Sequence, residues 1–580
     1  NNNDGGGIFT SDAAVGNASA TNITITADDV DWDTNNYIIG SGTLIIAPST
    51  AAKAIGIADG GPGIFSLSSG EIEGITGEFT TITIGHATGT GAINIGQIIF
   101  TRPTTIQSPS NGTIQVNGKI TGNSDASITL NSGTSTITLN DDIETEENNV
   151  SLEGPVVLAA ATNIIINTGP GLGTIKFDDT LNGTGANNET LTLTAGGGNI
   201  DFDGIVGATP LGDVIIVSAV NVTADAAFTA QSITQTAGTG LTTFTGAVIT
   251  LGTLAADGLD LNGTAFTISN TVNTGTLGTV TITNSGLLTI AAAADMTLGG
   301  AFLQDGVGVV STAGDIVTTA DAITFTTAVT LTDSHAVVMT SAGGLIWFKS
   351  TLDGTNDFAE DLTLTAGAGD ITFTGVVGGT KDLGNIIIAT AGTVLFSQNL
   401  SANTITQQAG SVLTTFSKPV LLEAVGGMSI TGTAITFAAN ATVNTEAAGN
   451  IGVVTIVNSG TLTINTGADM TLDGAFNQSG GGAVLTAGDI VTSNAAIFFT
   501  DDVTLTDAHT VAMTSAGGAI TFTDTLDGTT DFLEHLTLTA GAGNITFTGV
   551  VGGSEDLGNI IIATAGTVLF SQNLSANTIT

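Results

Sequence analysis

The side chains in this 580-residue sequence that could do chemistry are four histidines, seven basic residues and two acidic clusters. A glycan-cleaving site would need paired carboxylates beside a Lys, Arg or His. His335 and His509 recur in the equivalent phrases TDSHAVV and TDAHTVA, which indicates a structural role, and no Lys or Arg follows Lys418. The sequence has no nucleophile elbow, HExxH motif or phosphate loop. We therefore predict a protein that is not an enzyme, with no catalytic residue and no cofactor.

The acidic clusters at 28–33 and 141–147 are candidates for Ca²⁺ binding, because Ca²⁺ takes several oxygen ligands. Neither cluster has the EF-hand spacing, and no tandem GGxGxDxUx array is present. The alternative interpretation is that each acidic cluster is a solvated loop. We predict no specific metal site, and only weak, non-specific Ca²⁺ binding by the acidic surface.

The composition excludes several classes of partner. Asp and Glu number 51 against 7 Lys and Arg, for a net charge of −44, so no basic groove for nucleic acid can form. The sequence has no cysteine for disulfides or thiolate metal sites. No apolar run approaches the ~18 residues of a membrane-spanning helix. We expect no nucleic-acid partner and no membrane span.

Internal repeats organise the chain. Residues 362–406 recur at 536–580 with three changes, Asp370 to Asn544, Thr380 to Ser554 and Lys381 to Glu555. A more diverged copy begins near 191, which gives a super-repeat of 171–174 residues. Shorter units of about 25 residues lie inside it, each with stretches such as LTLT and ITF separated by Gly-, Asn- or Ser-containing corners.

Alternation of apolar residues with Thr predicts short strands, and the small-residue corners predict sharp bends. Coils of about 25 residues with about three strands indicate an all-β, right-handed parallel β-solenoid. About 23 turns stacked ~4.8 Å apart would extend roughly 110 Å. We predict a divergent cap or entry segment at 1–40, an N-terminal block at 41–150 and the repetitive solenoid at 151–580.

One phenylalanine per unit predicts an inward column of stacked rings, in which Ile464 and Val491 take the place of Phe in two units. Beside one of these rings, alternation places Trp347 and Lys349 outward. An exposed Trp beside a lysine is a candidate lateral contact with an acidic neighbour; the alternative is a Trp lying flat on neighbouring Thr. The predicted column consists of Phe325, Phe348, Phe373, Phe396, Phe416, Phe437, Phe522, Phe547 and Phe570.

The recurrent TAG-x-ITF-TG-VVGG phrases, and the block GTLIIAPSTAAKAIGIADGG near 43, resemble those of filamentous-haemagglutinin-type bacterial surface exoproteins. The resemblance implies a secreted or cell-surface, non-enzymatic structural protein that forms or extends a filament and has an adhesive role. The sequence stops in the middle of a unit with no polar cap, which predicts a segment of a longer protein or an end-to-end filament subunit.

The expected partners are copies of the chain itself, end-to-end or lateral, and host or cell-surface glycans. The alternatives are an adhesin with a specific ligand, of the host- or surface-binding type, and a carbohydrate-active β-helix enzyme.

Overall fold

The computed structural model describes residues 7–32, 37–58, 65–159, 163–423, 426–445 and 452–580. They form an all-β parallel solenoid of about 24 turns with about 23 residues per turn, which confirms the predicted fold class. Inward apolar residues alternate with outward residues, most often Thr, Ser or Asn, along most strands, because successive side chains point to opposite faces.

The helix Ser69–Glu73 is a single short turn, capped by the hydroxyl of Ser68, which accepts from the backbone N–H of Glu71. Within the described ranges, no helix has the length and apolar character that crossing a membrane requires.

The chain divides into two compact units, Asn1–Thr289 and Ile290–Thr580, and the strand Leu288–Ile290 lies at the division. In the first unit, the segment predicted as an entry region contains two small parallel pairs. Ile8–Ser11 pairs with Asp29–Trp32, and Val15–Gly16 pairs with Ile38–Ile39.

The rest of the first unit forms three parallel ladders that pair strands with their equivalents one turn later, except that Phe65–Leu67 pairs with the nearby strand Ile55–Ile57 at the start of the second ladder. The first ladder consists of Asn22–Ala27, Thr43–Pro48, Thr81–Ile84, Thr104–Gln107, Ile128–Asn131, Val150–Glu153, Ile175–Phe177, Ile200–Phe202, Val222–Ala224, Leu241–Phe244 and Ala265–Ile268. The second consists of Phe65–Leu67, Ile55–Ile57, Ile93–Ile95, Ile114–Val116, Ile137–Leu139, Val156–Leu158, Leu181–Gly183, the first part of Val206–Ser218, the first part of Phe228–Gln235, Val248–Thr250 and Val272–Asn273. The third consists of Ile98–Phe100, Ile120–Gly122, Ile143–Thr145, Asn163–Asn167, Thr190–Thr194, the later parts of Val206–Ser218 and Phe228–Gln235, Leu259–Gly263 and Val280–Asn284.

The second unit also has three ladders, which we name the Phe348, Phe522 and Leu352 faces after a residue of each. The Phe348 face consists of Phe302–Gly306, Ile323–Phe325, Ile346–Phe348, Ile371–Phe373, the end of Leu383–Phe396, Gly410–Phe416, Ala434–Phe437, Leu462–Ile464, Val484–Thr486, Val503–Leu505 and Leu526–Asp527. The Phe522 face consists of Met296–Leu298, Ile316–Thr318, Ala336–Thr340, Asp361–Thr365, the start of Leu383–Phe396, the end of Leu400–Gln407, Met428–Gly432, Val454–Asn458, Phe476–Ser479, Ile497–Phe499, Ile520–Phe522, Ile545–Phe547 and Val568–Phe570. The Leu352 face consists of Val310–Thr312, Val329–Leu331, Leu352–Asp353, the start of Leu400–Gln407, Val420–Leu422, Val443–Asn444, Met470–Leu472, Ile490–Thr492, Thr510–Thr514, His535–Thr539, Leu557–Thr564 and Ala576–Ile579.

Charge in the second unit is concentrated at the corners between its strands. Its described strands contain only four acidic residues and no lysine or arginine, so the outward strand positions are almost entirely Thr, Ser, Asn and apolar residues. The four are Asp305, Asp353, Asp361 and Asp527.

Candidate functional site

The phenylalanine column predicted from the sequence divides into two stacks in the structure. On the Phe348 face, Phe325, Phe348, Phe373, Phe396, Phe416 and Phe437 are buried, with neighbouring ring centroids 4.6–5.4 Å apart and planes within 9° of parallel. On the Phe522 face, Phe522, Phe547 and Phe570 stack at 4.7–5.3 Å beneath Phe499. Within each stack the rings lie at the same position of successive turns.

Following the Phe348 stack beyond Phe437 shows why the rings separate. The same column continues through Ile464 to Thr486, both buried, as the strand pairing requires. Ile464 therefore takes the predicted place. Val491 does not, because it points outward on the Leu352 face and is 37% exposed.

The super-repeat is not a whole number of turns. Eight successive pairings carry the column of Ile346–Phe348 to the strand Leu526–Asp527. Ile520–Phe522 is the sequence equivalent of Ile346–Phe348, but it lies on the Phe522 face, one strand before Leu526–Asp527. Since each turn crosses three faces, one super-repeat advances the chain by seven turns and two faces. Equivalent residues of the two copies therefore lie on different faces.

Trp347 and Lys349 point outward, while the alternating residues Ile346 and Phe348 are buried. The Trp347 indole N–H donates to the Thr374 hydroxyl at 2.8 Å, and the Lys349 Nζ lies 4.4 Å from the ring centroid. Trp347 is half-buried and bonded to a residue of the next turn, so these contacts hold both side chains on the chain's own surface.

The histidines lie in different local settings. His535 begins the strand His535–Thr539, and its Nδ1 accepts the backbone N–H of Asn559 at 2.8 Å. His86 lies in a turn with Thr88, whose backbone N–H it accepts at 3.1 Å. Across the described ranges, no three His, Cys, Asp or Glu side chains group so that they could hold a metal ion.

Residues of both predicted acidic clusters form hydrogen bonds and ion pairs, and Asp33 lies outside the described residues. Asp28 pairs with Lys53 at 2.7 Å; the hydrogen bonds from Lys53 and Ser49 lower the pKa of this carboxyl. In the second cluster, Glu144 pairs with Lys119 at 2.7 Å. Glu146 accepts the Ser124 N–H at 2.9 Å beside an open cleft of about 420 Å³.

Three buried glutamates are the polar feature that the sequence analysis missed. Glu189, Glu360 and Glu534 recur 171 and 174 residues apart, and each side chain is at most 1% exposed. Each carboxylate accepts the hydroxyl of the Thr five residues earlier and at least one backbone N–H of the loop between them. A buried carboxylate is tolerated only when such donors surround it. The repeated T-x4-E spacing was the available signal.

The loops that these glutamates hold in the second unit, 354–360 and 528–534, have different charges beside them. Asp357 pairs with Lys381 at 3.1 Å, and the hydrogen bond from Lys381 lowers the pKa of Asp357. Beside the second loop, Glu555 stands where Lys381 stands in the first copy. Its shared hydrogen bond with Asp531 and the charge of that residue raise the pKa of Glu555.

Comparisons with family models, curated proteins and solved structures find no match to this chain.

Proposed function

We infer that this chain is a non-enzymatic, secreted or cell-surface structural protein that forms or extends a filament and contributes to adhesion. The observation that carries the proposal is the repeating pattern of the second unit. Successive described turns add a strand or, at Val377, Val551 and Leu574, a single bridge to each of the three ladders, and two of these ladders bury stacked phenylalanines. Such a fold is stabilised mainly by contacts between neighbouring turns, which suits a structural spacer that lengthens by repetition.

Charge distribution supports the same proposal. With most acids at the corners and few charges on the strand surfaces between them, like-charged copies repel each other while the ladders remain intact. From residue 419 onward the sequence has 14 acidic residues and no basic one, so no Lys or Arg ion pair within this part neutralises the repulsion. We expect millimolar Ca²⁺ or a pH near 4 to promote lateral bundling. Unchanged light scattering under both conditions would contradict this role for the charge.

Electron microscopy and fibre diffraction of the native material test the filament. Long uniform fibres with a ~4.8 Å axial spacing are expected if turns stack along the fibre. Monodisperse single molecules without fibres would refute the filament proposal.

An adhesin with a specific ligand is the second candidate, and one observation favours it. The glutamate-held loop 528–534 exposes Phe532 and Leu533 by 45% and 49%. A loop fixed from inside while apolar side chains face solvent is typical of a contact surface.

A further inference from the structure

The loop 528–534 is held rigidly from within the coil. The buried Glu534 accepts the Thr529 hydroxyl at 2.6 Å and the Thr530 backbone N–H at 3.2 Å. From the other side, the Phe532 N–H donates to the carbonyl of Asp556 on the next turn at 2.8 Å. The loop conformation is therefore set before any partner arrives, which reduces the entropy that binding must overcome.

Phe532 occupies a backbone conformation that a bulky residue rarely adopts. Its φ is +66°, and Phe358 in the equivalent loop has φ +65°. In the first unit the equivalent residue is Asn187, with φ +63°, a residue type that tolerates this conformation. Phe532 is also 45% exposed, so its strain is not offset by full burial of the ring. Backbone strain of this kind clusters at sites that contact ligands or partners.

We propose that Phe532 and Leu533 form an apolar knob that docks onto an apolar surface flanked by Lys and Arg on another protein. The inference rests on the adhesive role proposed above and names the kind of partner. Three carboxylates lie on or beside the loop that carries the knob: Asp531 accepts the Asp556 N–H at 2.9 Å, and Glu555 shares a hydrogen bond with Asp531.

A second copy of this chain does not fit the site as well. It carries only seven basic residues in 580. Three of them lie in the second unit: Lys349, Lys381 and Lys418. Lys349 already lies over a tryptophan ring and Lys381 already pairs with Asp357. Charge complementarity therefore favours a basic protein surface over self-association at this knob.

The loop 354–360 is a matched control within the same chain. It has the same glutamate anchor and the same aromatic residue, but Phe358 is only half-exposed, Ala359 stands where Leu533 stands, and Lys381 neutralises Asp357. It should bind a basic, apolar partner much more weakly than the loop 528–534.

The test uses the full chain and two fluorescent 12-residue peptides, one alternating Leu with Arg and one alternating Ser with Arg, in 150 mM NaCl. Fluorescence anisotropy should show tighter binding of the Leu–Arg peptide. Phe532→Ala should weaken that binding roughly tenfold, as loss of a central aromatic contact does, whereas Phe358→Ala should change it less than twofold. Glu555→Lys should weaken it to a similar degree, and Lys381→Glu should strengthen binding at the first loop.

Equal affinity of the two peptides, or an unchanged affinity after Phe532→Ala, overturns the proposal, because charge alone would then explain binding. Equal losses from Phe532→Ala and Phe358→Ala would also overturn it. Circular dichroism of each variant checks the fold, which an exposed ring should not affect. Fibre formation is scored separately by electron microscopy, so a failed knob and a failed filament give different results.

Discussion

Replacing one ring in the middle of the Phe348 stack measures what the stacking contributes. Phe373 lies between Phe348 and Phe396, with ring centroids 5.3 and 4.6 Å away and planes 1° and 7° from parallel. Phe373→Leu retains most of the buried apolar volume, so its packing cost should stay below about 1.5 kcal/mol. It removes two ring pairs of about 0.5–1.5 kcal/mol each. The expected loss is about 3 kcal/mol.

Hydrogen exchange is the suitable assay, because opening in a repeat fold is local and global melting mixes many turns. A loss of about 3 kcal/mol corresponds to roughly 100-fold faster exchange in the strands Ile346–Phe348 and Ile371–Phe373. Phe498→Leu is the control. Phe498 is 38% exposed and pairs with Asn477 and Thr521 rather than with another ring, so its replacement should change exchange less than about threefold.

The comparison of the two variants can refute the reasoning. If Phe373→Leu exchanges no faster than Phe498→Leu, the parallel rings add nothing beyond buried area. The stack would then be a consequence of repetition, not a source of stability.

Three further perturbations address the corners. An alanine Cβ at Gly378, where φ is +67°, would lie 2.0 Å from a backbone oxygen of the next turn. Hydrogen exchange should therefore show that Gly378→Ala destabilises that turn by more than about 2 kcal/mol. Gly481 is the control: its φ is +84° and a Cβ there would meet nothing within 4 Å, so Gly481→Ala should cost only about 1 kcal/mol. Glu360→Ala leaves the Thr355 hydroxyl and two backbone N–H groups of the loop without their acceptor. It should destabilise the loop by about 2–4 kcal/mol and make it susceptible to limited proteolysis. Unchanged cleavage would show that the anchor is dispensable. Acid should act oppositely on the two loops. The pKa of Asp357 is lowered, so its stabilising ion pair persists at neutral pH and is lost as the pH falls below about 3.8. The pKa of Glu555 is raised, so its unfavourable contact with Asp531 at neutral pH is relieved as the pH falls toward 4.5. Exchange at both loops, corrected for intrinsic rates, should show these opposite directions, and parallel changes would contradict the assignment.

The fold follows from the sequence because its signals are local and repeated. The alternation in LTLT and ITF places each apolar residue inward, and small corners such as the one at Gly378 supply bends that a Cβ would block. The assignment of residues to faces could not be read in the same way. A turn averages about 23 residues but varies with corner length, so the same spacing fits Ile464, which is buried in the column, and Val491, which is not.

The buried glutamates were missed for a different reason. A glutamate in a polar stretch such as TNDFAE or TTDFLE reads as a solvated loop residue, since glutamate is rarely buried. Only the three-dimensional path shows that the loop folds its own Thr hydroxyl and N–H groups over Glu360 and Glu534.

The mismatch between super-repeat and turn has a consequence for how repetition works in this chain. If 174 residues were a whole number of turns, the loops 354–360 and 528–534 would emerge at the same corner. Instead, the first loop joins the Leu352 face to the Phe522 face, and the second joins the Phe348 face to the Leu352 face. Duplication of this segment therefore places a second, nearly identical loop at a new corner of the coil. There two exchanges, Lys381 to Glu555 and Asp361 to His535, change the charge beside the loop while the glutamate anchor and the strand pairing are retained. The coil can gain loops in new directions because its strands depend on neighbouring turns and not on which face a copy occupies.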